Sequence, residues 1–219
     1  MTRYTAEQLA SFSWIVSTDT LRLEDLLPRY WQTAEQLAQL ADRPALINPG
    51  TLASLERLVG EDSRETDWND ETAAQVLEDL TDTLQDVAPC GFYFGASEGD
   101  GACFGFWLQE DWRDALEECG IDCEDPESTA LLLAQFNDHS ITADSLCDAY
   151  CGTADGYSEA QAGADYAQTL ADAIGAINRE LAWPHTCVDW LEAWQELEMG
   201  DGYALIQDTP SSWHVVRSV

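Results

Sequence analysis

The sequence predicts an α+β fold, mostly helical, and three observations carry that expectation. Apolar residues recur at helical spacing along much of the chain, as in Val76, Leu77, Leu80, Leu84 and Val87. One aromatic, glycine-rich stretch, Cys90 to Leu108, breaks this pattern and alternates as a hairpin does. Two short β-type runs, Tyr203–Ile206 and Trp213–Arg217, close the chain. A hydrophobic content of 45% with nine Trp supplies an ample core for 219 residues and argues against disorder.

In chain order, Thr5-Ala6-Glu7-Gln8 opens like a capped helix that turns Leu9, Phe12 and Ile15 inward. Thr20 to Ala41 carries Leu23, Leu26, Leu27, Tyr30, Leu37 and Leu40 as a second helix, with Pro28 expected to break or kink it. Pro44, Pro49 and Gly50 mark a loop, and Leu52–Val59 a short helix. These elements read as packing and self-association, without chemistry. Asp67 to Asp86 is the first strongly acidic helix; its apolar stripe leaves Glu71, Glu78, Asp79, Asp82 and Asp86 mostly on the outer face.

In the hairpin, Phe92–Ala96 and Ala102–Leu108 are the strands and Ser97-Glu98-Gly99-Asp100-Gly101 the turn. Its glycines lack the spacing of a phosphate-binding loop, and the chain has no Lys. A second acidic run follows: Glu110, Asp111, Asp114, Glu117, Glu118, Asp122, Glu124, Asp125 and Glu127, with Arg113 as counter-charge. Asp148-Ala149-Tyr150 closes a helical segment that Gly152 is expected to stop. Tyr157 to Ile177 is another helix, with Tyr166, Leu170, Ala173, Ile174 and Ile177 on one face and Asp165 and Asp172 elsewhere. Asp189-Trp190 starts the last helix, expected to end at Gly200. Trp190, Trp194 and Leu197 share one face of it and are expected to form a small core with Trp213, Val215, Tyr166, Leu170 and Ile174. The expected organisation is a helical N-terminal domain over 1–87, the hairpin with its acidic helix over 88–125, and a C-terminal domain over 126–219.

Charge is the outlier. There are 42 acidic residues against nine Arg, a net charge of −33. Residues 1–60 hold seven acids and five Arg, a net of −2, whereas residues 61–128 hold 21 acids and two Arg, a net of −19. Such a field repels nucleic acid and anionic membranes and attracts proteins that present basic grooves. Duplex DNA carries one charge per ~1.7 Å of axis, so 33 charges match roughly 55 Å, or about 16 base pairs. No leader is visible after Met1-Thr2-Arg3, and no apolar run approaches the ~18 residues of a membrane span. The seven Cys read as mostly reduced, buried thiols of a cytoplasmic protein.

The C-terminal third carries an ordered set of residues: Tyr150, Gly152, Tyr166, Ala167, Leu170, Ile174, Asp189, Trp190, Ala193, Leu197, Tyr203, Val215, Val216 and Arg217. This set, over Pro126 to Val219, resembles the C-terminal part of the ArdA antirestriction proteins. Gly101 to Leu108 is similar to the Gly-x-x-x-Gly-x-Trp strand of that family's first domain. Residues 1–87 match no part of the family. The resemblance implies an elongated homodimer from a phage, plasmid or other mobile element, acting in the bacterial cytoplasm. It would imitate DNA in type I restriction–modification enzymes, at the site formed by the specificity and methyltransferase subunits.

The candidate partner-binding residues are therefore Glu71, Glu78, Asp79, Asp82, Asp86, Glu110, Asp111, Asp114, Glu117, Glu118, Asp122, Glu124, Asp125, Asp165, Asp172, Glu192 and Glu196. Their role is electrostatic, with carboxylates standing in for phosphates opposite Arg and Lys. No catalytic residue, metal or cofactor is expected. Cys119/Cys123 and Cys147/Cys151 are i, i+4 pairs, but zinc sites favour Cys-x-x-Cys spacing and need four converging ligands. The three His, at 139, 185 and 214, are scattered, and no catalytic signature surrounds any Cys. Other readings stay open: an acidic inhibitor or adaptor of another DNA-binding machine (a CRISPR effector, polymerase or nucleoid protein), an enzyme, or a chain acidic for solvation in high salt. The near-neutral first 60 residues weigh against the last of these.

Overall fold

The computed structural model describes residues 4–42, 46–59, 68, 71–177 and 187–218. The chain divides into two compact units, Met1–Arg113 with Cys123–Ala134, and Asp114–Asp122 with Gln135–Val219. The boundaries expected at 87/88 and 125/126 are therefore not where it divides. The hairpin belongs with the N-terminal helices because its aromatic rings are buried among them.

The first unit contains α1 (Ala6–Leu9), β1 (Ile15–Ser17), α2 (Leu23–Leu40), α3 (Pro49–Val59), α4 (Glu71–Asp86), β2 (Phe92–Ala96) and β3 (Phe104–Leu108). Thr5 caps α1: its hydroxyl accepts from the Gln8 amide while the Gln8 side chain accepts from the Thr5 amide. Leu9 and Phe12 are buried as expected, but Ile15 is 54% exposed. The helix ends at Leu9, and Ile15 instead starts a strand that pairs antiparallel with β3, giving the sheet order β1-β3-β2. The Trp14 carbonyl accepts from the Phe106 amide at 2.8 Å. Gly105 makes that approach possible, since a Cβ there would lie 2.3 Å from the Trp14 oxygen.

On this sheet Phe106 packs against Phe12 and Phe94, with centroids 4.8 and 5.1 Å apart, and Phe94 meets Tyr30 of α2 edge-on at 5.0 Å. These contacts explain why α2 runs unbroken through Pro28, so that of the expected break or kink the break does not occur. Leu26, Leu27, Tyr30, Ala34 and Leu37 are all buried, and that burial outweighs the hydrogen bond the proline forfeits. The hairpin is where the sequence placed it, with a longer turn: the second strand begins at Phe104 and Ser97 donates to the Cys103 carbonyl at 2.7 Å. The acidic helix α4 is described from Glu71; Asp67, the expected start, lies outside the described residues.

Two helices, α5 (Glu110–Glu118) and α6 (Pro126–Asp138), contribute residues to both units. The second unit then contains α7 (Ala143–Ala149), β4 (Tyr150–Asp155), α8 (Glu159–Ala173), α9 (Trp190–Asp201), β5 (Tyr203–Thr209) and β6 (Ser212–Arg217). Its sheet is antiparallel with order β4-β6-β5. Gly152 does not cap α7. The helix passes into strand at Tyr150, and Gly152, at φ 120°, sits in the bulge between the Tyr150–Val216 and Gly152–Val215 pairs. Helix α9 runs past Gly200, and Gly202 at φ 69° ends it instead, because that is the residue in the left-handed region.

The core of this unit is Ala154, Ala162, Tyr166, Ala167, Trp194 and Val215, flanked by Leu170, Trp190, Leu197, Tyr203 and Trp213. This is the expected cluster with one correction: α8 stops at Ala173, which leaves Ile174 70% exposed beyond its end. On the other face of β6, His214 and Val216 are buried, and His214 lies beside the rings of Tyr150 and Phe136. Among the described residues no helix is long and apolar enough to cross a membrane.

Candidate acidic interface

Helix α4 buries Ala73, Val76, Leu80 and Leu84. At 100° per residue, Glu71, Glu78, Asp82 and Asp86 then fall on one exposed stripe. Five acids over sixteen residues amount to one charge per roughly 5 Å of helix axis. Asp79 lies beside the stripe and is half-buried, because it accepts from Thr51 Oγ1 at 2.6 Å and Gln75 Nε2 at 3.0 Å. Those two hydrogen bonds hold its carboxyl below the usual carboxylate range. Asp79 therefore ties α3 to α4 as well as carrying charge.

Helix α5 is denser. It buries Trp112, Ala115 and Leu116. Glu110, Asp111, Asp114, Glu117 and Glu118 are all exposed and lie within a sector of roughly 120°. Five carboxylates over nine residues give one charge per roughly 3 Å of axis, within a factor of two of duplex DNA. Arg113, outside this sector, is turned to Glu98 at 3.5 Å and to the Leu108 carbonyl. Glu110 and Asp111 sit in the first turn, where the helix dipole favours an anion. Glu117 and Glu118 sit in the last turn, where it opposes one, and that turn has no basic residue. Their placement is costly to the helix and so is not explained by folding.

The acids that follow are exposed at Asp122, Glu124 and Asp125. Asp125 has a second task. Its carboxylate accepts from the Ser128 amide at 2.9 Å and from the Ser128 hydroxyl, capping α6, and these bonds hold its carboxyl below the ordinary range. The Asp125-Pro126 pair is a local signal for that role, since Asp favours the cap and Pro the first helical position. In the second unit Glu192 and Glu196 are exposed one turn apart on α9, opposite buried Trp194. Asp165 is exposed and accepts from the Asp155 amide at 3.3 Å, while Asp172 is half-buried. Of the seventeen expected interface acids, Asp79 and Asp172 are half-buried and the other fifteen exposed. The acids at 61–67 and 70 lie outside the described residues, as does His185.

The thiols are not the mostly buried set expected: only Cys90 is buried, Cys147 and Cys187 are exposed and the other four half-buried. Cys119, just past α5, faces Cys147 of α7, with the sulfurs 3.6 Å apart. That contact is non-local, and no sequence signal announces it. No known protein family, characterised protein or solved structure matches the chain.

Proposed function

We propose that this protein is a DNA mimic whose carboxylates occupy the basic DNA-binding cleft of a bacterial defence enzyme. The carrying observation is α5, with five exposed acids in one sector at a charge spacing near that of the duplex. Helix α4 carries an acidic stripe of its own at lower density. Guanidinium and ammonium groups that normally clasp phosphates meet carboxylates here with no base edges to read, so binding needs charge placement and not sequence. The resemblance to the ArdA proteins makes a type I restriction–modification enzyme the target and a homodimer the acting form. The mimic carries no phosphodiester to cut and no base to methylate, so occupancy alone inhibits.

The test is a titration of a purified type I enzyme with this protein over a range of salt. Affinity should fall steeply as salt rises, and duplex DNA should compete for the same site. An affinity indifferent to salt, or a complex that still binds DNA, would sink the reading.

A further inference from the structure

Helix α7 presents Cys147 to the end of α5. The Cys147 thiol lies 3.9 Å from the Ala115 carbonyl and 3.6 Å from the Cys119 sulfur, and Cys119 stands one turn on from Ala115, just past the end of α5, with its amide donating to that same carbonyl. Cys147 is exposed and Cys119 half-buried. A disulfide needs its sulfurs at ~2.05 Å, so about 1.5 Å of approach separates this contact from a bond, within the sweep of a side-chain rotation. Among the described residues no cluster of three or more His, Cys, Asp or Glu is placed to hold a metal, and two sulfurs alone fall short of a structural zinc site.

We propose that Cys119 and Cys147 form a reversible disulfide by exchange with a low-molecular-weight disulfide such as oxidised glutathione. Cys147 attacks first, because it is the accessible sulfur. Its thiolate bonds to one sulfur of the small disulfide, the small S–S bond breaks, and one glutathione leaves as a thiolate that takes up a proton. Cys119 then loses its proton and attacks the Cys147 sulfur. The mixed S–S bond breaks, and the second glutathione leaves carrying that proton. Two protein thiols are oxidised and one glutathione disulfide is reduced to two thiols. Burial, followed by the neighbouring Cys147 thiol and the Glu118 carboxylate, pushes the Cys119 thiol of the reduced pair up to about 12, which leaves the exposed Cys147 as the thiol that reacts first. The bond would pin the end of the most acidic helix to α7.

The experiment incubates the full chain with oxidised glutathione, quenches with acid, alkylates the remaining thiols and maps the peptides by mass spectrometry without reduction. Wild type should pass through a transient glutathione adduct on Cys147 and end as a Cys119–Cys147 crosslink that melts higher than the reduced protein. Cys119→Ser should stop at a persistent adduct on Cys147. Cys147→Ser should form no crosslink at Cys119 and show no oxidation-dependent rise in melting temperature. Circular dichroism of each variant under reducing conditions separates misfolding from lost chemistry, and Cys119→Ala serves as the second variant if the serine disturbs the fold. A wild-type product that keeps its Cys147 adduct, crosslinks a different pair, or does not react overturns the proposal.

Discussion

The backbone of Gly163 on α8 lies directly against the indole of Trp194 on α9. A β-carbon built on Gly163 would sit 2.4 Å from both Cδ1 and Cγ of that ring. Two helices thus meet at a glycine and a tryptophan that is only 3% exposed. In Gly163→Ala the added methyl must displace the ring or the helix, at ~1–3 kcal/mol. Alanine's better helix propensity offsets about 1 kcal/mol of that. The variant should melt below wild type in a near-ultraviolet circular dichroism scan. An unchanged or raised melting temperature would mean that the contact is looser than described.

The same helix orders three further substitutions. Trp194→Ala should be the most damaging, at ~3–5 kcal/mol, because it empties a buried site. Trp190 flanks the core and is half-buried, so Trp190→Ala should cost clearly less. Asp189 accepts from the Leu191 and Glu192 amides at 3.1 and 3.2 Å, and Asp189→Ala should cost about 1 kcal/mol, the usual loss for a cap. Denaturant midpoints for the three proteins check the ranking. If Trp190→Ala proves worse than Trp194→Ala, the core is centred elsewhere.

Glu117 and Glu118 offer a substitution in which stability and function should move in opposite directions. Replacing both with Gln removes two negative charges from the unfavourable end of α5, which should stabilise the protein by roughly 0.3–1 kcal/mol at low salt. The same change should weaken binding to the proposed target enzyme, measurably though not completely, because the field is spread over many carboxylates. Replacing Glu110, Asp111 and Asp114 as well should abolish it. Thermal melts and a target-binding titration on the same preparations read both effects. Intact binding in the five-site variant would remove α5 from the interface.

His214 makes stability depend on pH in a window set by burial. The ring is 5% exposed, and burial lowers its pKa below the ordinary 6.5 despite the opposing pull of Asp208. Its Nδ1 is 3.4 Å from the Tyr150 hydroxyl, and its Nε2 is 3.8 Å from an Asp208 oxygen, close enough for an ion pair if protonated but too far for a hydrogen bond. The unfolded chain therefore takes up a proton at a higher pH than the folded one. The stability that the neutral ring contributes is whole above about 6.5 and declines as pH falls below it, toward the lower folded value. A His214→Gln variant should lose this component, so its melting temperature should drop less than wild type between pH 7.5 and 5.5. Parallel curves would place the ring's proton uptake elsewhere.

What was legible in the chain followed from local constraints. The exposed faces of α4 and α5 could be read directly, because carboxylates without partners do not enter a core and the apolar residues between them keep helical time. The hairpin was equally plain from its alternating aromatics. Misreadings came where a distant partner decides. Leu9, Phe12 and Ile15 have a helical period, yet Ile15 is claimed by the strand that Trp14 and Phe106 lock together. The Asp79–Thr51 and Cys119–Cys147 contacts join separate elements and leave no trace in spacing. The Asp125 cap was within reach of sequence reasoning, since Asp-Pro ahead of a helix names its own role.

The chain passes from one unit to the other after Arg113, returns after Asp122, and leaves again after Ala134. Neither unit is thus a contiguous stretch of gene. A fragment beginning at Pro126 would lack Asp114–Asp122 and carry an orphaned piece of its neighbour, and a fragment ending at Val87 would lack the hairpin that covers Tyr30. Exchange of parts between such chains by recombination must therefore trade both units at once. Shortened versions of the chain should come out insoluble unless their ends respect this interleaving.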